Sequence, residues 1–123
     1  KNPVIDFLPG QMKLKETGAS MRLGNYPCFI DKKSKVFSCY NNNEIIERHR
    51  HRYEVNNKYK KQLVKNGLSI TGINRKLDLV EIVEIKNHNW FVGVQFHPEL
   101  KSRIVNVHPL FRDFISASIK FKK

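Results

Sequence analysis

Apolar and polar positions follow two rhythms along this chain, and the switches between them mark its elements. Residues 3–8 (P-V-I-D-F-L) are apolar and β-branched enough to predict a strand, ended by Pro9-Gly10, and the polar stretch 11–20 reads as a loop. Short strands are predicted over 21–23 and 28–30, broken by Gly24-Asn25-Tyr26-Pro27, and a third over 35–40, bounded by Asp31-Lys32-Lys33 and the turn-rich Asn41-Asn42-Asn43. Together these three resemble a short antiparallel ribbon. The spacing then changes. Residues 56–67 carry an Asn cap, an amphipathic stretch and a terminal Gly, which predicts a two-turn helix. Three more strands are expected over 68–73, 79–85 and 90–96. In the second, glutamates alternate with Val and Ile; the third is apolar nearly throughout and is expected to lie centrally in a sheet. From Pro109, the residues Leu110, Phe111, Phe114, Ile115, Ser118 and Ile119 fall at helical spacing, which predicts a packed amphipathic helix with proline in its first turn.

Strands with only two helices leave at least one face of an α/β sheet without cover unless further chain supplies it. Exposed apolar surface is the expected consequence. At 123 residues, with no internal repeat or linker, the chain reads as one soluble globular domain or part of one. No apolar run approaches a membrane span and residues 1–6 lack a secretory h-region, so a cytoplasmic location without a membrane partner is the default expectation. Cys28 and Cys39 stand outside any C-x-x-C spacing and are expected to be buried or half-buried thiols, signalling neither zinc nor a disulfide framework. The net charge of +12 raises a polyanion such as nucleic acid as a partner. Its distribution argues against one: lysines outnumber arginines, run from Lys1 to Lys123, and form no stripe with aromatics on which bases could stack.

Two short segments carry candidate chemistry. In Glu47-Arg48-His49-Arg50-His51-Arg52-Tyr53 an extended backbone would send His49 and His51 to one face and Arg48, Arg50 and Arg52 to the other. A basic edge strand, half of a metal site and an anion site all fit that pattern. The flanking arginines repel a cation, whereas an arginine binds a carboxylate bidentately, so a carboxylate-bearing substrate suits the segment best. His97-Pro98-Glu99 follows a predicted buried strand, where α/β folds place reactive side chains. The proline stiffens the turn, and a carboxylate two residues on can accept a hydrogen bond from the imidazole and hold its tautomer. A plain surface turn is the competing reading of the tripeptide.

Residues 47–57 (E-R-H-R-H-R-Y-E-V-N-N), with 92–99 (V-G-V-Q-F-H-P-E), Lys101-Ser102-Arg103 and His108-Pro109-Leu110-Phe111, closely resemble the C-terminal end of the CTP synthase family. Residues 21–24 and 79–84 match the same family in the same order. Gln-Phe-His-Pro-Glu is shared by many class I glutamine amidotransferases; the Arg-His run selects CTP synthase among them. The resemblance covers essentially all 123 residues, about the last quarter of a family member. It implies an α/β, flavodoxin-like amidotransferase fold, with residues 1–123 as its C-terminal portion. His97 then matches the catalytic histidine that activates a cysteine thiolate, Glu99 the carboxylate that orients it, and Arg52 a residue that binds the glutamine substrate. The implied partners are glutamine, the remainder of the amidotransferase domain and a synthase domain, in a full enzyme expected to be a homo-oligomer. No cofactor is implied for this segment; ATP and magnesium belong to the synthase domain, where UTP is aminated.

The departures are informative too. Neither cysteine sits in a small-residue elbow of the form G-x-C-x-G, so neither is assigned as nucleophile, and the oxyanion-hole loop and nucleotide-binding elements are not in this chain. Gly18-Ala19-Ser20 replaces the family's Gly-Gly-Thr, Asn89 its Pro, and Leu100 its Phe. The alternatives are another class I amidotransferase, a non-catalytic basic polyanion-binding module, and a relic that has lost its nucleophile.

Overall fold

The computed structural model describes residues 2–7 and 21–122. The expected loop at 11–20, the stop at Pro9-Gly10 and the Gly18-Ala19-Ser20 departure lie outside them. The elements are β1 (Ile5–Phe7), β2 (Arg22–Ile30), α1 (Lys35–Tyr40), β3 (Glu44–His51), β4 (Tyr53–Val55), α2 (Lys60–Lys65, entered through a 3-10 turn at Asn57–Tyr59), β5 (Ser69–Asn74), β6 (Leu79–Glu84), β7 (Val92–Val94) and α3 (Pro109–Phe121). Among the described residues, five strands form an antiparallel sheet in the order β3-β2-β5-β6-β7, and β1 pairs with β4 as a separate ribbon. No described helix is long and apolar enough to cross a membrane.

Three expectations are corrected. Residues 35–40 form a helix, not a strand: the Ser34 hydroxyl accepts from the Phe37 N–H (2.9 Å), Asn41 closes the turn with φ 53°, and Val36 and Cys39 share one buried face. β2 runs unbroken through Gly24-Asn25-Tyr26-Pro27, because these residues pair in register with His49, Arg48, Glu47 and Ile46. Pro27 is tolerated because its carbonyl, taken by the Asn74 side-chain amide (3.1 Å), points away from β3; its missing N–H on that same side costs no β2–β3 bond. The strand predicted over 90–96 is ordered only as Val92–Val94 and is the last strand of the sheet order, so it is not central. β6 takes the inner place, with Leu79, Val80, Glu81, Ile82 and Glu84 all buried. The 90–96 segment is apolar because Trp90, Val92 and Val94 pack on the core from its rim.

The ribbon expected over 21–40 is likewise absent, since 22–30 is one strand, 35–40 a helix, and β2 pairs with β3 and β5 instead; the remaining predictions hold in outline. Asn56 caps the 3-10 turn by accepting from the Lys58 N–H (3.0 Å), and Gly67 ends the helical stretch with φ +96°. The apolar core joins Cys28, Ile30, Val36, Cys39, Ile45, Ile82, Phe96 and Leu110, so both cysteines are buried as expected. α3 packs chiefly through its first turn, with Phe114 against Trp90 (ring centroids 6.3 Å apart). Leu110 is buried, whereas Phe114, Ile115 and Ile119 are about half exposed or more (48%, 55% and 60%), which matches the expected open apolar surface.

Two buried polar networks fasten this frame. In the first, Glu47 Oε1 accepts from the Tyr40 hydroxyl (2.9 Å) and from His108 Nε2 (2.9 Å), tying α1, β3 and the start of α3. His108 Nδ1 accepts from the Leu110 N–H (3.3 Å), which leaves Nε2 as the protonated, donating nitrogen. In the second, Arg22 donates to Glu54 Oε1 (3.0 Å) and Glu81 Oε1 (2.6 Å), all three side chains being almost fully buried. One guanidinium cannot neutralise two carboxylates. Burial pushes both carboxyls up against the pull of Arg22, Glu81 to about 7.

Between an ordinary 4.5 and about 7, folded protein therefore keeps a Glu81 proton that the unfolded chain has released. That contribution to stability is complete below the unfolded value and is lost as pH rises through 7. Glu81→Gln mimics the protonated carboxyl, so its stability relative to the parent should climb from pH 5 to pH 8, by up to roughly 3 kcal/mol. Denaturant unfolding of both proteins at the two pH values checks the sign, and a relative fall would place an ionised carboxylate in the core. A steric constraint gives a second expectation. A Cβ on Gly72 would lie 2.5–2.7 Å from the Ile82 side chain, which is fully buried on the neighbouring strand. Gly72→Ala should cost about 1–3 kcal/mol, as overpacked cores do; the β5–β6 register shifts on both sides of Gly72, and an unchanged thermal midpoint would show that this irregularity relaxes freely.

Candidate active site

β3 delivers the first part of the site. Its alternation is strict: Ile45, Glu47 and His49 are buried, Glu44, Ile46, Arg48 and Arg50 are exposed, and His51 is half-buried. The histidines and arginines thus take opposite faces, as the two-residue spacing predicts. The basic residues consequently do not gather into one anion pocket. Instead, His49 Nδ1 meets His51 Nε2 (2.7 Å), and His49 Nε2 faces Glu81 Oε2 at 3.7 Å. Burial, reinforced by Arg22, lowers the pKa of both rings, that of His49 to about 3, so both are neutral near pH 7. Arg52 stands at the break between β3 and β4. It is exposed, and among the described residues it makes no hydrogen bond or ion pair, so its fork of donors is free.

The second part comes from the far edge of the sheet. After β7 the Gln95 N–H still bonds the Glu81 carbonyl (2.9 Å), then Phe96 turns into the core and the His97 N–H bonds the Arg48 carbonyl (2.8 Å). That last bond brings the β7 end across to β3 and sets His97 beside the Arg-His run. Pro98 opens a 3-10 turn over Pro98–Leu100, closed by the Leu100 N–H on the His97 carbonyl (3.0 Å).

Inside this turn His97 Nδ1 lies 2.7 Å from Glu99 Oε1. A carboxylate only accepts, so the proton sits on Nδ1 and Nε2 keeps its lone pair. The bond holds the Glu99 carboxyl below its usual range. His97 is about one-third exposed and Glu99 more than half, so the bare nitrogen belongs to a surface site that a second reactant can reach. Chemically, the pair can take a proton at Nε2 and stabilise the resulting imidazolium.

No nucleophile lies in the described part of this site. Cys28 is fully buried and Cys39 nearly so, and burial, foremost among the causes, pushes both thiols up to about 12. What sequence reasoning missed are Arg22, Glu54 and Glu81 beneath the histidines. A glutamate within the β-branched run of 79–85 was the one available signal, since a charge in a strand buried on both faces needs a partner.

The glutamine amidotransferase class-I family model matches residues 3–117. The chain is 56% identical over 122 residues to the CTP synthase of Clostridium kluyveri, and 52% identical over 122 residues to that of Chloroherpeton thalassium. Each alignment takes in 99% of this chain but only 23% and 22% of the relative, so the chain spans less than a quarter of their length. Among solved structures it is similar to the glutaminase domain of Trypanosoma brucei CTPS with bound acivicin, with a TM-score of 0.88 and 34% identity, covering 98% of this chain and 47% of that one. With a match over nearly its whole length and an α/β fold that superposes on a glutaminase domain, this chain belongs to the class-I glutamine amidotransferase family.

Proposed function

We propose that this chain is the C-terminal part of the amidotransferase domain of a CTP synthase, an enzyme that makes CTP from UTP, ATP and glutamine. The single observation that carries the reading is the His97–Glu99 contact at 2.7 Å, which leaves one imidazole nitrogen as an exposed base. Similarity to CTP synthases across 99% of the chain supports the choice of substrate.

In this reading His97 Nε2 takes the proton of a cysteine thiol supplied by a segment outside these residues. The thiolate attacks the side-chain amide carbon of glutamine, the proton passes to the departing ammonia, and water, deprotonated by the same nitrogen, releases glutamate from the thioester. Glu99 holds the ring and stabilises its protonated form. Arg52 binds the α-carboxylate of glutamine with its planar fork. The ammonia goes on to a synthase domain, where ATP and magnesium activate UTP. The open apolar stripe of α3 is the face that the remainder of the amidotransferase domain would cover.

Steady-state kinetics of the complete enzyme with glutamine and with ammonium chloride tests the assignment. His97→Ala should lower glutamine-dependent turnover by about a hundredfold to ten-thousandfold while ammonia-dependent synthesis persists. Glu99→Gln should cost less, and the double variant should be little worse than His97→Ala, since an orienting group has nothing left to orient. Losses that multiply, or near-normal glutamine turnover in His97→Ala, would remove the pairing. A separate expectation concerns these 123 residues expressed alone: they should release no glutamate from glutamine. Glutaminase activity abolished by Cys28→Ser or Cys39→Ser would show that one of these thiols is the nucleophile after all.

A further inference from the structure

Arg52 sits where the chain breaks its own alternation. His51 is half-buried, Arg52 and Tyr53 are both exposed, and Glu54 is buried again, so the backbone must bend here as it leaves β3 for β4. One side chain spans the bend. His51 Nδ1 lies 3.1 Å from the carbonyl oxygen of Tyr53, directly across Arg52. A carbonyl only accepts, so His51 carries its proton on Nδ1 and, being neutral, offers Nε2 as an acceptor. His49 Nδ1, 2.7 Å away, must then be the donor, which leaves His49 Nε2 as a lone pair facing Glu81 Oε2 at 3.7 Å.

Neither of those two facing atoms has a hydrogen-bond partner of its own, and both residues are about 1% exposed. A proton on Glu81 Oε2 would be directed at that lone pair, although 3.7 Å is a facing contact and not a hydrogen bond. Glu81 is held through its other oxygen by Arg22, and Arg22 is held by Glu54, two residues beyond Arg52. His51 Nδ1 also lies 3.4 Å from Glu54 Oε1, so the ring faces both the Tyr53 carbonyl and the Arg22-held Glu54, the two residues just after Arg52.

We propose that His51, backed by His49 and Glu81, is a positioning residue that sets the direction of the Arg52 guanidinium for a substrate carboxylate. This rests on the assignment of Arg52 to glutamine binding. The bond that matters is the one from Nδ1 to the Tyr53 carbonyl; the bond to His49 fixes which nitrogen makes it. Two amide variants separate these contributions. An asparagine amide nitrogen occupies the place of Nδ1 and can keep the bond across Arg52. A glutamine amide reaches the place of Nε2, keeps the contact with His49 and leaves the Tyr53 carbonyl without its donor.

The test is steady-state kinetics of the complete enzyme carrying His51→Gln, His51→Asn or Arg52→Lys, each measured with glutamine and with ammonium chloride. His51→Gln should raise the KM for glutamine about tenfold, the worth of one hydrogen bond, with kcat changed far less and ammonia-dependent synthesis retained. His51→Asn should stay within about twofold of the parent KM, a rescue that a bulk packing role for the ring would not give. A parental glutamine KM in His51→Gln, equal defects in both His51 variants, or parallel losses with glutamine and ammonia would each overturn the positioning role. Arg52→Lys tells which assignment has failed. If it raises the glutamine KM while His51→Gln does not, the inference about His51 falls and Arg52 keeps its role; if Arg52→Lys has no effect on that KM, the reading of Arg52 itself falls.

Discussion

Strand β3 has to bury every second side chain, and three of the side chains it turns inward are polar. Glu47, His49 and His51 cannot enter the interior without partners, because an unsatisfied buried polar group costs about 1–3 kcal/mol. The partners come from everywhere else in the fold. Glu47 is met by Tyr40 of α1 and His108 at the start of α3; His49 lies over Glu81 of β6; His51 reaches the Tyr53 carbonyl at the next strand. On its backbone side the same strand accepts the His97 N–H through Arg48. The strand thus fixes the loop that carries His97 and Glu99 and the bend that carries Arg52, and a shift of one residue in its pairing with β2 would invert every one of these contacts.

The interior is divided by chemistry. Where α1 and the first turn of α3 meet the sheet it is apolar, with Cys28, Val36, Ile82, Phe96 and Leu110 in contact. Beneath the Arg-His run it is ionic, and there the charge count decides the protonation states. A single guanidinium between two buried carboxylates favours a retained proton, and the two imidazoles beside it stay neutral because burial and Arg22 both oppose a further positive charge. Neutral histidines can then form a row with one direction, each giving at Nδ1 and receiving at Nε2. Protonation of either ring would turn an acceptor into a donor and break the row.

The exposed apolar positions follow from how little of the sheet and of α3 the described helices cover. A sheet in an α/β layer needs cover on both faces, whereas α3 buries only Leu110 of its stripe and leaves Phe114, Ile115 and Ile119 open. Ile104 and Val105, on the turn before α3, are almost fully exposed. The chain spans under a quarter of the length of these curated relatives, and among the described residues these apolar positions are open.

Local chemistry was readable without coordinates. The period-two split of Arg48, His49, Arg50 and His51, the Asn56 cap, the helix opened by Pro109 and the pairing of His97 with Glu99 all depend on residues within a few positions of one another, where backbone geometry leaves few choices. The helix at Lys35–Tyr40 was equally local. Its Ser34 cap and Asn41 stop were present in the sequence, but a six-residue run with Val, Phe and Tyr carries strand propensity as well, and packing against the core decided the matter. Apolar content alone also misplaced the central strand, since a rim segment that packs on helices and core is as apolar as an inner one. Only the tertiary structure could bring Arg22 to Glu81, His49 to Glu81 and His108 to Glu47. These contacts join residues 32 to 61 positions apart, and strand register, a property of the whole sheet, sets which side chains face each other across that distance.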